Sequence, residues 1–376
     1  MEAHRDAASF ASMAGVAERA VEARHLRRLW GIPATLLGVS AWPATPVHRL
    51  HLPWNYWWQA HLLDCLVDAQ VREPTAARRR AIAALIRGIR LRNVAGWLND
   101  YYDDVAWLGL ALLRAAKEVG VRRPEAIDAI AARLRSGWTE HTGGGIWWRR
   151  GDDFKNVPAN GPAAILLARL ALDSGDPGDL RRAASTVDWI EQRLVDPDTG
   201  LLWDGVHANP DGSVRALERA HYTYCQGVHV GACLELAHAG DADRWLGRAE
   251  RTIRAVATHL ATNGVLRGHG GGDGGLFTGI LARYLARAAV LLPRLRRDRD
   301  TAATAELAAD LVRASATAAW RNRTVAPGGP LFGSDWSRPA TEPRRRTPER
   351  DLSVQLGAWM TLEAAATLSP IRHSAG

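Results

Sequence analysis

Apolar residues recur at helical spacing along almost the whole chain. Ile82, Leu85 and Ile86 show the pattern early, and Ile253 and Val256 show it late. Such spacing places the apolar side chains on one face of a helix, whereas strictly alternating, strand-like runs are hard to find. The pattern predicts twelve helices, at approximately 6–30, 54–72, 75–91, 103–118, 124–138, 157–174, 177–195, 222–239, 241–260, 276–291, 300–320 and 351–368.

The connections between these helices alternate in length. Those after odd-numbered helices are long, and those after even-numbered helices are short. In an up-and-down array, every long connection then falls at the same end, which predicts an all-α (α/α)6 barrel made of six helical hairpins. The second helices of the hairpins are expected to begin at 54, 103, 157, 222, 276 and 351.

A helical-repeat solenoid is the alternative to a closed barrel. The hairpins recur at intervals of 49 to 75 residues and share no repeat consensus. Solenoid repeats keep a nearly constant short period, so we favour one closed domain over residues 1–376.

The composition is that of an ordinary globular protein, with 47% hydrophobic and 23% charged residues. Its unusual feature is 16 tryptophans beside 6 tyrosines and 4 phenylalanines. Thirteen tryptophans fall in the predicted long loops or within about a turn of them, which favours an aromatic stacking surface for a ligand at that end. These are Trp30, Trp42, Trp54, Trp57, Trp58, Trp97, Trp107, Trp138, Trp147, Trp148, Trp203, Trp320 and Trp336.

The formal net charge is +8, and all but two of the 48 basic residues are arginines. Most of these arginines are interleaved with acidic residues, while a nucleic-acid footprint should be a clustered patch. We therefore expect no nucleic-acid partner. The exception is the run Arg344, Arg345 and Arg346, which lies among prolines in a predicted loop.

The expected cellular location rests on features that the sequence lacks. The three cysteines (Cys65, Cys225, Cys233) show no CxxC spacing, which favours a reduced compartment and no structural zinc. The first thirty residues have no apolar core of a signal peptide, and no run approaches the ~20 apolar residues that span a bilayer. A cytoplasmic protein without membrane insertion is expected, with export by another route left open.

The densest chemistry lies at residues 99–107, NDYYDDVAW, at a predicted helix start. One interpretation is an N-terminal cap, in which aspartates accept backbone N–H bonds and complement the helix dipole. The other is a glycosidase pair, in which one carboxylate attacks the anomeric carbon and the second protonates the leaving oxygen. Because Asp103 and Asp104 are adjacent, their carboxyl groups suit the ~5–5.5 Å separation of a retaining enzyme better than the wider inverting pair.

Four further segments are predicted to lie at the same end. They combine glycines, aromatic rings and amide or carboxyl groups, a combination that can bind sugar rings and hydroxyls. The segments are WNYWWQAH at 54–61, GGGIWW at 143–148 with KNVPANGP at 155–162, YTYCQG at 222–227, and GHGGGDGGLFTG at 268–279.

With these motifs assembled, the chain resembles glycoside hydrolase family 76, the endo-acting α-1,6-mannanases. The resemblance implies an (α/α)6 barrel, Asp103 as nucleophile, Asp104 as general acid/base, and neither a metal nor an organic cofactor. It departs from the family pattern at Cys225, where Asn is usual, and at Thr278, where Lys is usual. The substrate-binding residues that it implies are Trp57, Trp58, Asn99, Tyr102, Trp147, Asn156, Asn160, Tyr224, Gln226 and Asp273.

The sequence therefore predicts a retaining endo-α-1,6-mannosidase that acts on α-mannan or mannooligosaccharides. Three alternatives stay open: a glycosidase or transglycosidase acting on another α-linked glycan, a non-catalytic mannan-binding protein, and a magnesium-dependent terpene synthase. The order D-x-x-D-D at residues 100–104 differs from the D-D-x-x-D of the last class. The sequence does not indicate an oligomeric state.

Overall fold

The computed structural model describes residues 2–341 and 347–368. Helices dominate it, and the predicted Arg344–Arg346 loop run lies outside the described residues. The helices are α1 (Glu2–His25), α2 (Pro46–Arg49), α3 (Tyr56–Arg72), α4 (Ala76–Arg92), α5 (Tyr102–Arg114), α6 (Pro124–Ser136), α7 (Val157–Ser174), α8 (Pro177–Leu194), α9 (Thr223–Ala239), α10 (Ala242–His259), α11 (Gly274–Leu295), α12 (Arg299–Arg321) and α13 (Leu352–Thr367).

Six of these helices form a closed inner ring. Each odd-numbered helix from α3 to α13 packs against the next, and α13 returns to pack against α3. The outer helices α1, α4, α6, α8, α10 and α12 each pack mainly against one inner helix, and all except α4 also contact a second one. The closed ring confirms the (α/α)6 barrel and excludes the solenoid, and the inner helices begin within two residues of the predicted positions.

Burial separates the inner helices from the outer ones. Helix α13 is buried around nearly its whole circumference, whereas α10 buries one stripe that includes Trp245, Ala249, Ile253 and Val256. A helix that is apolar all round belongs in the middle of a packed core, and an amphipathic one belongs at its surface. Helix α11 is long and apolar enough to cross a bilayer, yet 67% of that stretch is buried inside the barrel.

Glycines set the spacing between α11 and α13. A Cβ at Gly279 would lie 2.6 Å from the carbonyl oxygen of Gly357, and a Cβ at Gly357 would collide with the carbonyl oxygen of Gly275. The two backbones therefore approach each other more closely than any larger side chain allows.

The long loops carry short strands that the sequence analysis did not predict. They form three two-stranded hairpins and one three-stranded sheet, in which β4 lies between β3 and β5. At two to five residues each, they are too short to show an alternating pattern. The strands are β1 (Leu26–Arg27), β2 (Leu37–Gly38), β3 (Phe154–Asn156), β4 (Gly205–Ala208), β5 (Val214–Glu218), β6 (Ala261–Thr262), β7 (Val265–Leu266), β8 (Thr324–Ala326) and β9 (Gly329–Leu331).

The close contact between α11 and α13 is testable. We expect Gly357→Ala to lower the free energy of unfolding by about 2–3 kcal/mol, because the added methyl group must push the two helices apart. Gly247→Ala is the matched control: no atom lies within 4 Å of a Cβ there, so the change should raise stability by about 0.5–1 kcal/mol. Denaturant unfolding measures both, and equal stability of the two variants would contradict the packing argument.

Candidate active site

A cleft of about 460 Å³ opens at the N-terminal ends of the inner helices, where the long loops gather. Its wall is a mixture of aromatic rings and carboxyl groups. The lining residues are Asn55, Tyr56, Trp57, Tyr101, Asp103, Asp104, Trp107, Trp148, Tyr224, Asp273 and Phe277.

Asp103 and Asp104 lie in the first turn of α5, at the positive end of the helix dipole. One oxygen of Asp103 accepts from the backbone N–H of Asp104 at 2.9 Å, and the other accepts from the indole N–H of Trp148 at 3.0 Å. Asp104 accepts a hydrogen bond from the side-chain amide of Asn99. The two carboxyl groups therefore have different environments although they are adjacent in the chain.

Burial dominates the electrostatics of the pair. It raises the pKa of Asp103 to about 6, against the two hydrogen bonds that stabilise the ionised form. It raises the pKa of Asp104 well above its ordinary value, and the neighbouring charge of Asp103 raises it further. Asp103 is consequently the group that ionises first, and Asp104 is the one that keeps its proton.

Aromatic rings form one wall of the cleft. Tyr224 and Phe277 stack in parallel, with ring centroids 3.8 Å apart, and Trp57 packs beside both rings. Asp273 is fixed above them, since the indole N–H groups of Trp57 and Trp58 donate to the same carboxylate oxygen at 2.9 and 2.8 Å. The result is a tightly packed aromatic wall with an oriented carboxylate beside it.

Seven of the residues proposed from the sequence meet at this cleft. Five of them line it directly: Asp103, Asp104, Trp57, Tyr224 and Asp273. The other two lie behind the lining residues: Asn99 donates a hydrogen bond to Asp104, and Trp58 donates one to Asp273.

Three predicted substrate-binding amides are buried away from the cleft, and this corrects their interpretation. Asn160 pairs with the backbone N–H and C=O of Ile146, and Gln226 pairs in the same way with Leu202. Both are 0% exposed, while Asn156 caps α7 by accepting from the N–H of Ala159. The hydrogen bonds that these three side chains make hold backbone atoms.

Asn160 and Gln226 belong to a set of four, which we call the loop-anchoring amides. Gln59 pairs with Gly38 and Gln355 with Phe332, each through its amide oxygen and nitrogen. All four are the fourth residue of an inner helix. In α11 the hydroxyl of Thr278 bonds the carbonyl of Arg267 instead. Each of these five side chains therefore attaches the long loop that precedes its own helix to the barrel.

Tyr102 and Trp147 also lie outside the lining of the cleft. Tyr102 is buried in the first turn of α5, and Trp147 packs against the ammonium group of Lys155 at 4.5 Å. That ammonium group donates to the carbonyls of Thr139, His141 and Gly144, so it organises the glycine-rich loop. Among the described residues, only three tryptophans line the cleft, so the tryptophan count overestimated its aromatic surface.

The sequence analysis missed one carboxyl group near the cleft. Asp204 accepts from the thiol of Cys225 at 3.6 Å, and burial together with the charge of Asp103 raises its pKa to about 7. A lone aspartate in a long loop carries no motif that could have revealed it. Asn55, Tyr56, Tyr101, Trp107, Trp148 and Phe277 lie within the motifs quoted above but were not singled out as site residues.

The described residues contain no group of three or more His, Cys, Asp or Glu side chains arranged as metal ligands. A helical barrel whose loop end holds a polarised carboxyl pair beside flat aromatic rings is the architecture of a glycoside hydrolase. The sequence profile of Glycosyl hydrolase family 76 matches residues 38–367. The chain belongs to this family.

Individual relatives agree with the family assignment. The chain is 30% identical to the GH76A alpha-1,6-mannanase from Salegentibacter sp. HEL1_6, with a TM-score of 0.83 over 96% of this chain and 99% of that one. An inactive variant of that enzyme with two aspartates changed to asparagine has been solved with α-1,6-mannotriose. The Lin0763 protein from Listeria innocua is 27% identical, with a TM-score of 0.81 over 96% and 97% of the two chains.

A fungal relative is more distant. Mannan endo-1,6-alpha-mannosidase DCW1 of Candida glabrata is 25% identical over 75% of this chain. The match covers 67% of the fungal protein, and the matches to its homologues in Saccharomyces cerevisiae and Candida albicans cover 59% and 52%. The chain thus spans about half to two thirds of these fungal relatives.

The structural role of the loop-anchoring amides makes a prediction. Gln226→Met removes three hydrogen bonds to backbone atoms of Leu202 and Tyr222. Leaving these groups unpaired should lower the free energy of unfolding by about 2–4 kcal/mol. Gln192→Met, at an exposed position of α8, should leave stability unchanged. A raised KM with no loss of stability in the Gln226 variant would instead support direct contact with the substrate.

The bond from Trp148 to Asp103 predicts a pH effect. Trp148→Phe removes a donor to the ionised carboxylate, so the pKa of Asp103 should rise. If Asp103 must be ionised, activity appears as pH rises through its pKa, and the acid limb of kcat/KM should move up by about one pH unit. Trp147→Phe is the control, because that indole lies outside the cleft. An acid limb that stays in place in the Trp148 variant would contradict the assignment.

Proposed function

We propose that this chain is a single catalytic domain, a retaining endo-α-1,6-mannosidase acting on α-mannan or mannooligosaccharides. The observation that carries the proposal is the Asp103–Asp104 pair in the cleft, where Trp148 and the backbone N–H of Asp104 donate to Asp103 and the charge of Asp103 raises the pKa of buried Asp104 further. The bacterial α-1,6-mannanase and the fungal mannan endo-1,6-alpha-mannosidase that this chain is similar to support α-1,6-linked mannose as the substrate.

In the first step, ionised Asp103 attacks the anomeric carbon while Asp104 gives its proton to the departing glycosidic oxygen. The C–O bond breaks as the mannosyl–Asp103 ester forms. Asp104 is then a carboxylate, and it takes a proton from the water that hydrolyses the ester. The second displacement restores the original anomeric configuration and returns both carboxyl groups to their starting states.

The surrounding residues have roles that follow from their bonds. Trp148 and the backbone N–H of Asp104 stabilise the negative charge on Asp103 before attack. Asn99 orients Asp104 and stabilises the carboxylate that forms after proton transfer. The stacked Tyr224 and Phe277 rings present a flat face to a sugar ring, and Asp273 can accept from its hydroxyl groups.

The alternatives differ in substrate or in turnover. Fold alone does not select among the glycans that such barrels process, and a transglycosidase would use the same ester with a sugar hydroxyl in place of water. A non-catalytic mannan-binding protein would bind without releasing reducing ends. Product analysis on α-linked mannans and glucans, with and without an added acceptor sugar, separates these possibilities.

The carboxyl pair is tested by two variants. We expect Asp103→Asn and Asp104→Asn to fold normally and to release mannose oligomers from α-1,6-mannan about 10³-fold more slowly or worse. Asp100→Asn is the control, since that neighbouring carboxylate is exposed and contacts only Arg150 at 3.6 Å among the described ion pairs. Unchanged turnover in both active-site variants would overturn the proposed function.

A second substrate distinguishes the two roles. An aryl α-mannoside with a good leaving group needs no proton donor, so the Asp104 variant should still release the aryl group in a burst. The Asp103 variant should show no burst, because the ester cannot form. The opposite pattern would exchange the two assignments.

A further inference from the structure

Two neighbouring parts of the chain contain no acidic residue. Residues 23–63 and 74–99 together carry ten arginines and neither Asp nor Glu. In the fold they lie side by side: the N–H of Leu36 bonds the carbonyl of Ala84, and Arg92 bonds the carbonyl of His51. The surface that these two segments form therefore has no acidic side chain of its own, although Asp351 approaches it at Ala41 and His48.

Nine of these ten arginines make no ion pair with a carboxylate among the described residues. Arg27, Arg28, Arg49, Arg87 and Arg90 make no ion pair within the described part of the chain, and all five are exposed. The exception within the two segments is Arg78, which pairs with Glu18, as Arg72 does from outside them. The uncompensated charge on this face is available to an anionic partner.

Exposed apolar side chains accompany these arginines. Five of the nine large hydrophobic residues that the described chain leaves exposed lie in the same two segments. They are Trp30, Val47, Leu50, Leu52 and Val94, and Val94 is 93% exposed. We call these five residues, together with the five unpaired arginines, the docking face. An apolar patch of this kind is unusual on a surface that meets only water.

The backbone holds two of these side chains outward at a cost. Trp30 and Val94 have positive φ angles of 49° and 53°, a conformation that bulky and β-branched residues rarely adopt. The indole N–H of Trp30 donates to the carbonyl of Leu50 at 2.9 Å, which fixes the ring beside the exposed leucine. Strain of this kind persists where the surrounding structure enforces it, and it is concentrated at functional surfaces.

A groove of about 940 Å³ runs along the same face. Four guanidinium groups line it, from Arg80, Arg87, Arg90 and Arg123, and no carboxyl group does. Arg90 stacks on the ring of Trp97, one of the apolar residues of the groove. A guanidinium group can donate two parallel hydrogen bonds to two oxygens of one phosphate group. The groove therefore suits a phosphate-bearing molecule.

We propose that the docking face binds an anionic phospholipid bilayer. Trp30, Leu50, Leu52 and Val94 enter the headgroup region, and the arginines contact lipid phosphates. Basic residues near an anionic leaflet and aromatic or aliphatic residues at its surface are the two signals of peripheral membrane binding. Nucleic acid would account for the arginines, but it leaves the exposed aliphatic side chains without a role.

The docking face adjoins the cleft. Leu52 lies three residues before Asn55, which lines the cleft, and Arg92 stacks on Trp54, which contacts Tyr56. A bound enzyme would therefore present its cleft next to the membrane. If the proposed function holds, the substrate class that fits this arrangement is a lipid-linked mannoside; this last step rests on the proposed function, whereas bilayer binding does not.

Vesicle sedimentation tests the proposal without reference to catalysis. We expect the intact chain to sediment with phosphatidylcholine vesicles that contain phosphatidylglycerol, to bind pure phosphatidylcholine vesicles far more weakly, and to dissociate partly at high salt. Leu50→Ser with Leu52→Ser, and separately Arg87→Gln with Arg90→Gln, should each lower the partition coefficient about tenfold or more.

Two control variants change the same residue types elsewhere. Leu172→Ser alters a side chain that is 42% exposed near the C-terminal end of α7, and Arg294→Gln with Arg299→Gln removes two exposed arginines near the α11–α12 connection. Both should bind vesicles like the parent chain, and melting temperatures show that all variants are folded.

Three results would overturn the proposal: equal binding to neutral and anionic vesicles, equal loss in the control variants, or binding that needs the arginines but not Leu50 and Leu52. In the last case, a labelled single-stranded RNA titrated in parallel would identify a polyanion as the partner. If the parent chain has no mannosidase activity but still binds anionic vesicles through this face, the result contradicts the proposed function and leaves the bilayer proposal intact.

Discussion

The long loops can build a cleft only if their buried backbone groups are hydrogen-bonded. A buried N–H or C=O without a partner costs about 1–3 kcal/mol, and these loops contain too little regular structure to satisfy one another. The loop-anchoring amides solve this at four points of the ring. A primary amide offers a donor and an acceptor side by side, so it pairs with one backbone residue as a neighbouring strand would. Because each amide sits on the fourth residue of an inner helix, the barrel fixes the loops in position.

The pKa values of Asp103 and Asp104 depend on that rigidity, because opposing effects act on the charge of the two carboxyl groups. The α5 dipole and the donors to Asp103 favour negative charge, while burial opposes it. The charge on Asp103 also raises the pKa of Asp104, because two ionised carboxylates so close in the chain repel each other. This order of ionisation favours one anion and one acid, which is what a double displacement requires. A small shift of Trp148 or Asn99 would alter this balance, so both side chains must be held in place.

Much of the fold follows from the sequence because it rests on long-range regularities. The alternation of long and short connections indicated the closed barrel and located the inner helix starts within two residues. The Asp103–Asp104 motif likewise pointed to the cleft. Motifs could not tell which polar residues face the substrate. Gln226 and Tyr224 are neighbours in one motif, yet one holds a loop and the other lines the cleft, since α9 turns them in different directions. Asp204 carries no local pattern, and its environment depends on Cys225 and Asp103, which are distant in the chain.

The attachment of Asp103 also limits how relatives can diverge. Residues 100–102 pair with 148–150 through the bonds Arg150 N–H to Asp100 and Tyr102 N–H to Trp148, so the loops before α5 and α7 converge on the nucleophile. An insertion in either would displace the reacting atoms. The connections after α10 and α12 make no contact with Asp103 or Asp104 among the described hydrogen bonds. The two connections differ in what a longer loop would change. No described residue of the connection after α12 lines the cleft, so an insertion there would leave the reacting atoms in place. The connection after α10 carries Asp273, whose charge raises the pKa of both carboxyl groups, so a change there would alter the cleft wall and the acidity of the pair together.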